Sequence, residues 1–216
     1  MLNHSQTDCG FVFVDVSTEV NVVDFTYIDH EKVIDAMQEL EKHIGVTFND
    51  IIWLVKAMNA TPLQKRENAG KNKRRDYTNS ALATVGDAIL KAILSDVIFS
   101  NGKNDIRKED ITKQREKIEN NDILFTVMGL ANLKQFTYNE YGFYGDFLPN
   151  HESVSDCKHN QYIEAIIAAI YYDQGYDKTK EWVVYYLLPK LKECATCSRK
   201  KDCITRGYPI CLKKTH

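Results

Sequence analysis

Two long apolar stretches dominate the hydrophobic pattern of the chain, and each is interrupted by a lone carboxylate. Between Tyr162 and Tyr171 every residue is apolar or aromatic except Glu164, and in the run SALATVGDAILKAILSDVIF Asp87 sits among Val85, Ala88, Ile89 and Leu90. Both runs are long enough to predict helices, the first over about 159–173 and the second from Asn79 or Ser80 to about Phe99. Other elements follow from the same reading. Val33, Ile34, Met37, Leu40 and Ile44 recur at helical spacing and predict a helix over 31–44. Asn49 and Asp50 read as a cap for IIWLVKAM, with Pro62 after its end. Asn101 and Gly102 close the Asp87 helix. Residues 108–119 form a charged helix, Asn120–Asn121 start a short one (DILFTVMGL), and a last helix runs over about 178–193. Residues 136–158 show no period and read as a long loop. Upstream, FVFVDVSTEVNVVDFTYI (11–28) is rich in Val, Phe and Thr and predicts a β-hairpin turning around Ser17–Glu19. The fold class is therefore mostly all-α with a short N-terminal β-hairpin. The units are an extension over 1–30, a helical domain over 31–193 and a cysteine-rich tail over 194–216.

The two carboxylates need an explanation. An unpaired buried charge costs several kcal/mol or takes up a proton. Each acid on its own can face water or pair with a lysine or arginine. A shared hard cation would satisfy both, because Mg²⁺ takes oxygen ligands and is held by one or two carboxylates plus waters and substrate phosphates. Gly86, just before Asp87, costs about 1 kcal/mol relative to alanine in a helix and is tolerated where another backbone or a ligand comes close.

Four blocks of the chain resemble the ribonuclease III family, in the family's order. They are MQELEKHIGVTFNDIIWLVKAM (37–58), NSALATVGDAIL (79–90), EDITKQREKIENNDIL (109–124) and QYIEAIIAAIYYDQGYDKTKEWV (161–183). The resemblance implies an all-α endonuclease that works as a homodimer. Its two subunits form a valley for double-stranded or structured RNA, and each centre uses Mg²⁺ or Mn²⁺ to hydrolyse a phosphodiester. It also implies that Asp87 and Glu164 are the catalytic, metal-binding acids. The family pattern before Gly-Asp reads roughly NERLEFLGD. Here Ser80 and Ala83 stand where acids are usual, and Gln161 stands where an aspartate precedes the glutamate. Ser80 and Gln161 are then candidates for orienting waters around the ion. The short members called Mini-III read ALAYIGDA and keep mainly the Gly-Asp and the Glu. Mitochondrial ribosomal proteins use the same fold as a scaffold without catalysis, so an RNA-binding or scaffold protein is the alternative reading.

Composition refines this picture. A formal net charge of −2 leaves RNA affinity to local patches. The best is QKRENAGKNKRRD, with Lys65, Arg66, Lys71, Lys73, Arg74 and Arg75 ahead of the Gly-Asp helix. Such a loop neutralises phosphates without reading sequence. Four of the six cysteines fall in CATCSRKKDCITRGYPIC, at Cys194, Cys197, Cys203 and Cys211. That density points to a structural metal, either Zn²⁺ or a [4Fe–4S] cluster. The first three resemble the cysteine staple of endonuclease III-type glycosylases, which holds [4Fe–4S]. No apolar run approaches the roughly 20 residues of a membrane span, and MLNHSQTDCG lacks the pattern of a secretory leader. The expectation is an intracellular, cytoplasmic protein with no membrane contact.

Overall fold

The computed structural model describes residues 30–59, 79–102, 106–139, 142–143 and 161–196. The predicted N-terminal hairpin, the basic loop and all of the cysteine tail beyond residue 196 lie outside them. The order is α1 (His30–Ile44), α2 (Ile52–Met58), α3 (Ser80–Asn101), α4 (Lys108–Glu116), α5 (Asn121–Leu130), β1 (Tyr138–Asn139), β2 (Gly142–Phe143), α6 (Gln161–Trp182) and α7 (Leu188–Thr196). A single 3₁₀ turn over Lys134–Phe136 precedes β1, and a π-helical turn over Val183–Leu187 joins α6 to α7.

The centre of the molecule is α6. Residues Tyr162–Ile170 are all buried, so this segment is enclosed on every side. That explains its continuous apolar sequence, since a helix with one wet face would alternate. It packs against α2, α3 and α5. From α3 come Leu82, Ala83, Leu90, Ile93 and Leu94, and from α1 come Val33, Met37, Leu40 and Ile44. Fully burying one such aliphatic side chain is worth about 1.5–3 kcal/mol, which is why the core rather than helix propensity holds these elements.

The helix breaks have local causes. Gly175 adopts φ 83° and splits α6 into two helical segments, a backbone conformation that favours glycine. Gly102 closes α3, its N–H bonding to Phe99 O at 3.1 Å. Asn120 caps α5 by accepting from Ile123 N at 3.0 Å. The start of α2 is tied twice. Asp50 Oδ1 accepts from Ile52 N, and Asp173 of α6 accepts from the amides of Asn49 (2.7 Å) and Asp50 (2.8 Å). Lys180 reaches back to Asp96 at 2.6 Å and links the second half of α6 to α3.

The expected long loop over 136–158 requires a correction in its first part. Tyr138 and Asn139 pair antiparallel with Phe143 and Gly142. Strands of two residues are too short to show an alternating pattern, so the sequence carried no signal for them. Tyr138 is held from afar. Its hydroxyl donates to Val55 O at 2.8 Å, and its backbone forms a parallel bridge with Asn59.

Candidate active site

The site is set by the crossing of α3 and α6. A Cβ placed on Gly86 would lie 1.7 Å from Glu164 O, so the two backbones touch at this point. Only glycine permits this approach. The contact brings together the two carboxylates predicted from the sequence, with Asp87 adjacent to Gly86 in the chain and Glu164 across the junction.

Their environments differ. Glu164 is 8% exposed. Burial pushes its carboxyl up from 4.5 to about 7, the negative charge of Asp87 adds to the rise, and Lys91 opposes it. Asp87 is half-exposed and pairs with Lys91 one turn further along α3, Oδ2 to Nζ at 2.6 Å. That hydrogen bond holds the Lys91 ammonium above its ordinary range.

A third acid stands nearby. Glu119 follows α4, and its field raises the Glu164 carboxyl while it is felt by Lys91 as well. Arg115 holds it, Nε to Oε1 at 2.9 Å, and Arg115 in turn donates to Ser95 Oγ on α3 at 3.1 Å. Glu119 Oε2 is buried with no hydrogen-bond partner among the described residues. Sequence reasoning missed Lys91, Arg115 and Glu119. The i,i+4 spacing of Asp87 and Lys91 was a readable signal. Glu119 gave none, because it lies in a run of charged residues and only packing buries it.

The remaining predicted positions fall around this core. Ser80 is exposed at the start of α3, where its carbonyl accepts from Thr84 Oγ1 at 3.0 Å. Ala83, in place of the usual acid, is 5% exposed and part of the hydrophobic core. Gln161 Nε2 donates to Asn79 Oδ1 at 3.0 Å, and buried Asn79 donates to Ala57 O at 2.9 Å. That chain ties the start of α6 to α3 and α2. Cys194 is half-buried near the end of α7 and packs against the core. Cys197, Cys203, Cys211 and the six basic residues of the loop (Lys65 to Arg75) lie outside the described residues.

The donor set suits a hard cation held in part by the protein. Among the described residues no three His, Cys, Asp or Glu side chains converge to enclose a metal. Two carboxylates on touching helices, with the charge of Asp87 felt at Glu164, match the sparse protein ligation typical of Mg²⁺.

Comparison with known proteins places this helical domain. A model of the ribonuclease-III-like family matches residues 68–191, and the chain belongs to that family. Among similar proteins, Ribonuclease 3 of Clostridium acetobutylicum is 29% identical over 151 residues, covering 68% of this chain and 60% of that protein. Ribonuclease 3 of Dehalococcoides mccartyi is 28% identical over 172 residues, covering 77% of this chain and 66% of that protein. The chain thus spans about three fifths to two thirds of these relatives. The nuclease domain of ribonuclease III from Campylobacter jejuni shares the fold, with a TM-score of 0.54 at 20% identity over 73% of this chain and 96% of that one.

Proposed function

We propose that the protein is a metal-dependent endoribonuclease that hydrolyses phosphodiester bonds in double-stranded RNA, with Asp87 and Glu164 holding the divalent cation. The observation that carries this reading is the Gly86–Glu164 backbone contact, which joins the two helices that bear these carboxylates. Mg²⁺ or Mn²⁺, when bound, supplies Lewis acidity at a phosphoryl oxygen and lowers the pKa of the attacking water. The chain's own residues do the rest. Asp87, half-exposed, is reachable from solvent, and Glu164 offers a carboxylate in a drier setting. Glu164 must give up its proton to bind a cation, so protons compete with the ion below about pH 7. The family's relatives named Ribonuclease 3 support the RNA substrate, and the Campylobacter jejuni structure concerns a region involved in dimer formation, which supports a homodimer here.

One set of observations favours the alternative, a scaffold or RNA-binding protein. Ala83 fills with core packing a place where the family usually has an acid, and Lys91 already neutralises Asp87. Long double-stranded RNA incubated with and without Mg²⁺, beside Asp87→Asn, separates the two. Mg²⁺-dependent cutting that Asp87→Asn abolishes is the expected result. RNA that stays bound and intact in every lane, with Mn²⁺ no help, establishes the scaffold instead.

A further inference from the structure

The Lys91–Asp87 pair raises a problem for the proposed site. A lysine bonded to a metal-binding aspartate competes with the metal. Lys91 holds Asp87 through Oδ2, so a cation bound through that oxygen displaces the ammonium, which a second carboxylate in reach would receive.

Among the described residues, Glu119 is an acceptor suited to it. Glu119 is tied through Arg115 and Ser95 to the turn of α3 that carries Lys91. One of its oxygens is taken by Arg115, and the other, Oε2, is buried and has no hydrogen-bond partner among the described residues. A buried carboxylate oxygen without a donor costs free energy that a new donor recovers. Ser95 Oγ donates to Lys91 O at 2.7 Å and accepts from Arg115 Nη1 at 3.1 Å, so Arg115 fixes Glu119 against this turn. The lysine stem is long and its side chain is 43% exposed, so it is free to rotate.

We propose that Glu119 is a positioning residue, the acceptor onto which Lys91 moves when a divalent cation displaces it from Asp87. The inference rests on the metal-binding reading of Asp87 and Glu164. It makes Lys91 a resident counter-charge that keeps the two acids together in the metal-free protein and then stays close to the bound centre. No atom is transferred; one ammonium exchanges one carboxylate partner for another.

The test is calorimetric titration of the full chain with Mg²⁺ for wild type, Asp87→Asn, Glu119→Gln, Lys91→Met and the double variant Lys91→Met/Glu119→Gln. Glu119→Gln is expected to weaken Mg²⁺ binding about threefold, the scale of one partly exposed ion pair. In the Lys91→Met background the same change is expected to weaken binding clearly less, because there is no lysine to receive and only the Glu119 field is lost. Equal weakening in both backgrounds, or none in either, overturns the proposal while leaving the metal site intact. Wild-type protein that binds no more Mg²⁺ than Asp87→Asn removes the metal reading and this inference with it. A second measurement needs no Glu119 variant. The Lys91 ammonium resonance, assigned by its loss in Lys91→Met, is expected to exchange protons more slowly once Mg²⁺ is added, since its partner changes from a half-exposed to a buried carboxylate. A Lys91 signal that Mg²⁺ leaves unmoved also overturns the proposal.

Discussion

At the scale of single residues, Glu164 is the clearest case of stability set against chemistry. Its folded carboxyl titrates near 7 against an ordinary 4.5. Below about 4.5 both the folded and unfolded states hold the proton and burial carries no penalty. Between those values the unfolded chain ionises first, so stability falls as pH rises. Above about 7 both forms are ionised and the full penalty of roughly 3 kcal/mol is present. Glu164→Gln is therefore expected to stabilise the metal-free protein by up to about 3 kcal/mol near pH 8 and to leave it unchanged near pH 4. Urea unfolding at the two pH values measures this. Equal stability of variant and wild type near pH 8 would show that the Glu164 carboxylate is not held against its solvation. Both acids stood out in the sequence because a charge inside an apolar run needs a partner, water or a cation to account for it. Glu119 was not legible. It looks like any charge in KEDITKQREKIENN until α4 folds against α3 and buries it.

At the scale of elements, the α3–α6 crossing carries both the fold and the site. Gly86 was readable as a glycine kept for close approach, although the sequence did not say what approaches it. The structure supplies the backbone of Glu164. Gly86→Ala places a methyl group 1.7 Å from a carbonyl oxygen, which forces the helices apart. The gain in helix propensity is about 1 kcal/mol and the overpacking cost is about 3 kcal/mol or more, so the net effect is destabilising. Thermal unfolding is expected to show a Tm several degrees below wild type, and a Tm equal to wild type would refute the backbone contact. The break at Gly175 was also legible, as the gap between two predicted helices. The β1–β2 pair was not, because its position depends on Tyr138 reaching Val55 across the chain. The cap on α2 was half legible. Asp50 reads as a cap, whereas Asp173, which holds the same turn, comes from α6.

At the scale of the whole molecule, no described helix is long and apolar enough to cross a membrane. With a net charge of −2, the RNA affinity that the proposed function requires has to come from a local source. We propose the loop holding Lys65, Arg66, Lys71, Lys73, Arg74 and Arg75 as that source. Replacing these residues with alanine is expected to weaken RNA binding and to flatten its salt dependence, by up to about 0.9 in the log–log slope for each phosphate no longer neutralised. A binding isotherm at several salt concentrations checks this, and an unchanged slope removes the loop from the interface. Cys194, Cys197, Cys203 and Cys211 are proposed to hold a structural metal. Elemental analysis of protein purified without oxygen is expected to find about one zinc or about four irons per chain. Protein carrying neither metal would make these cysteines ordinary thiols.

The sequence by itself determined the helical class, most helix limits and the family, and it singled out Asp87 and Glu164 as the pair proposed here. These are written in local terms: the period of apolar residues, capping side chains, glycines, and charges where apolar residues belong. Only the tertiary structure decided that α6 is enclosed on all sides, that Ala83 has become core, that Asp87 is answered by Lys91, and that Glu119 and Arg115 stand beside them. Those facts depend on which surfaces meet. Residues far apart in the chain acquire their electrostatics only when packing removes water from between them.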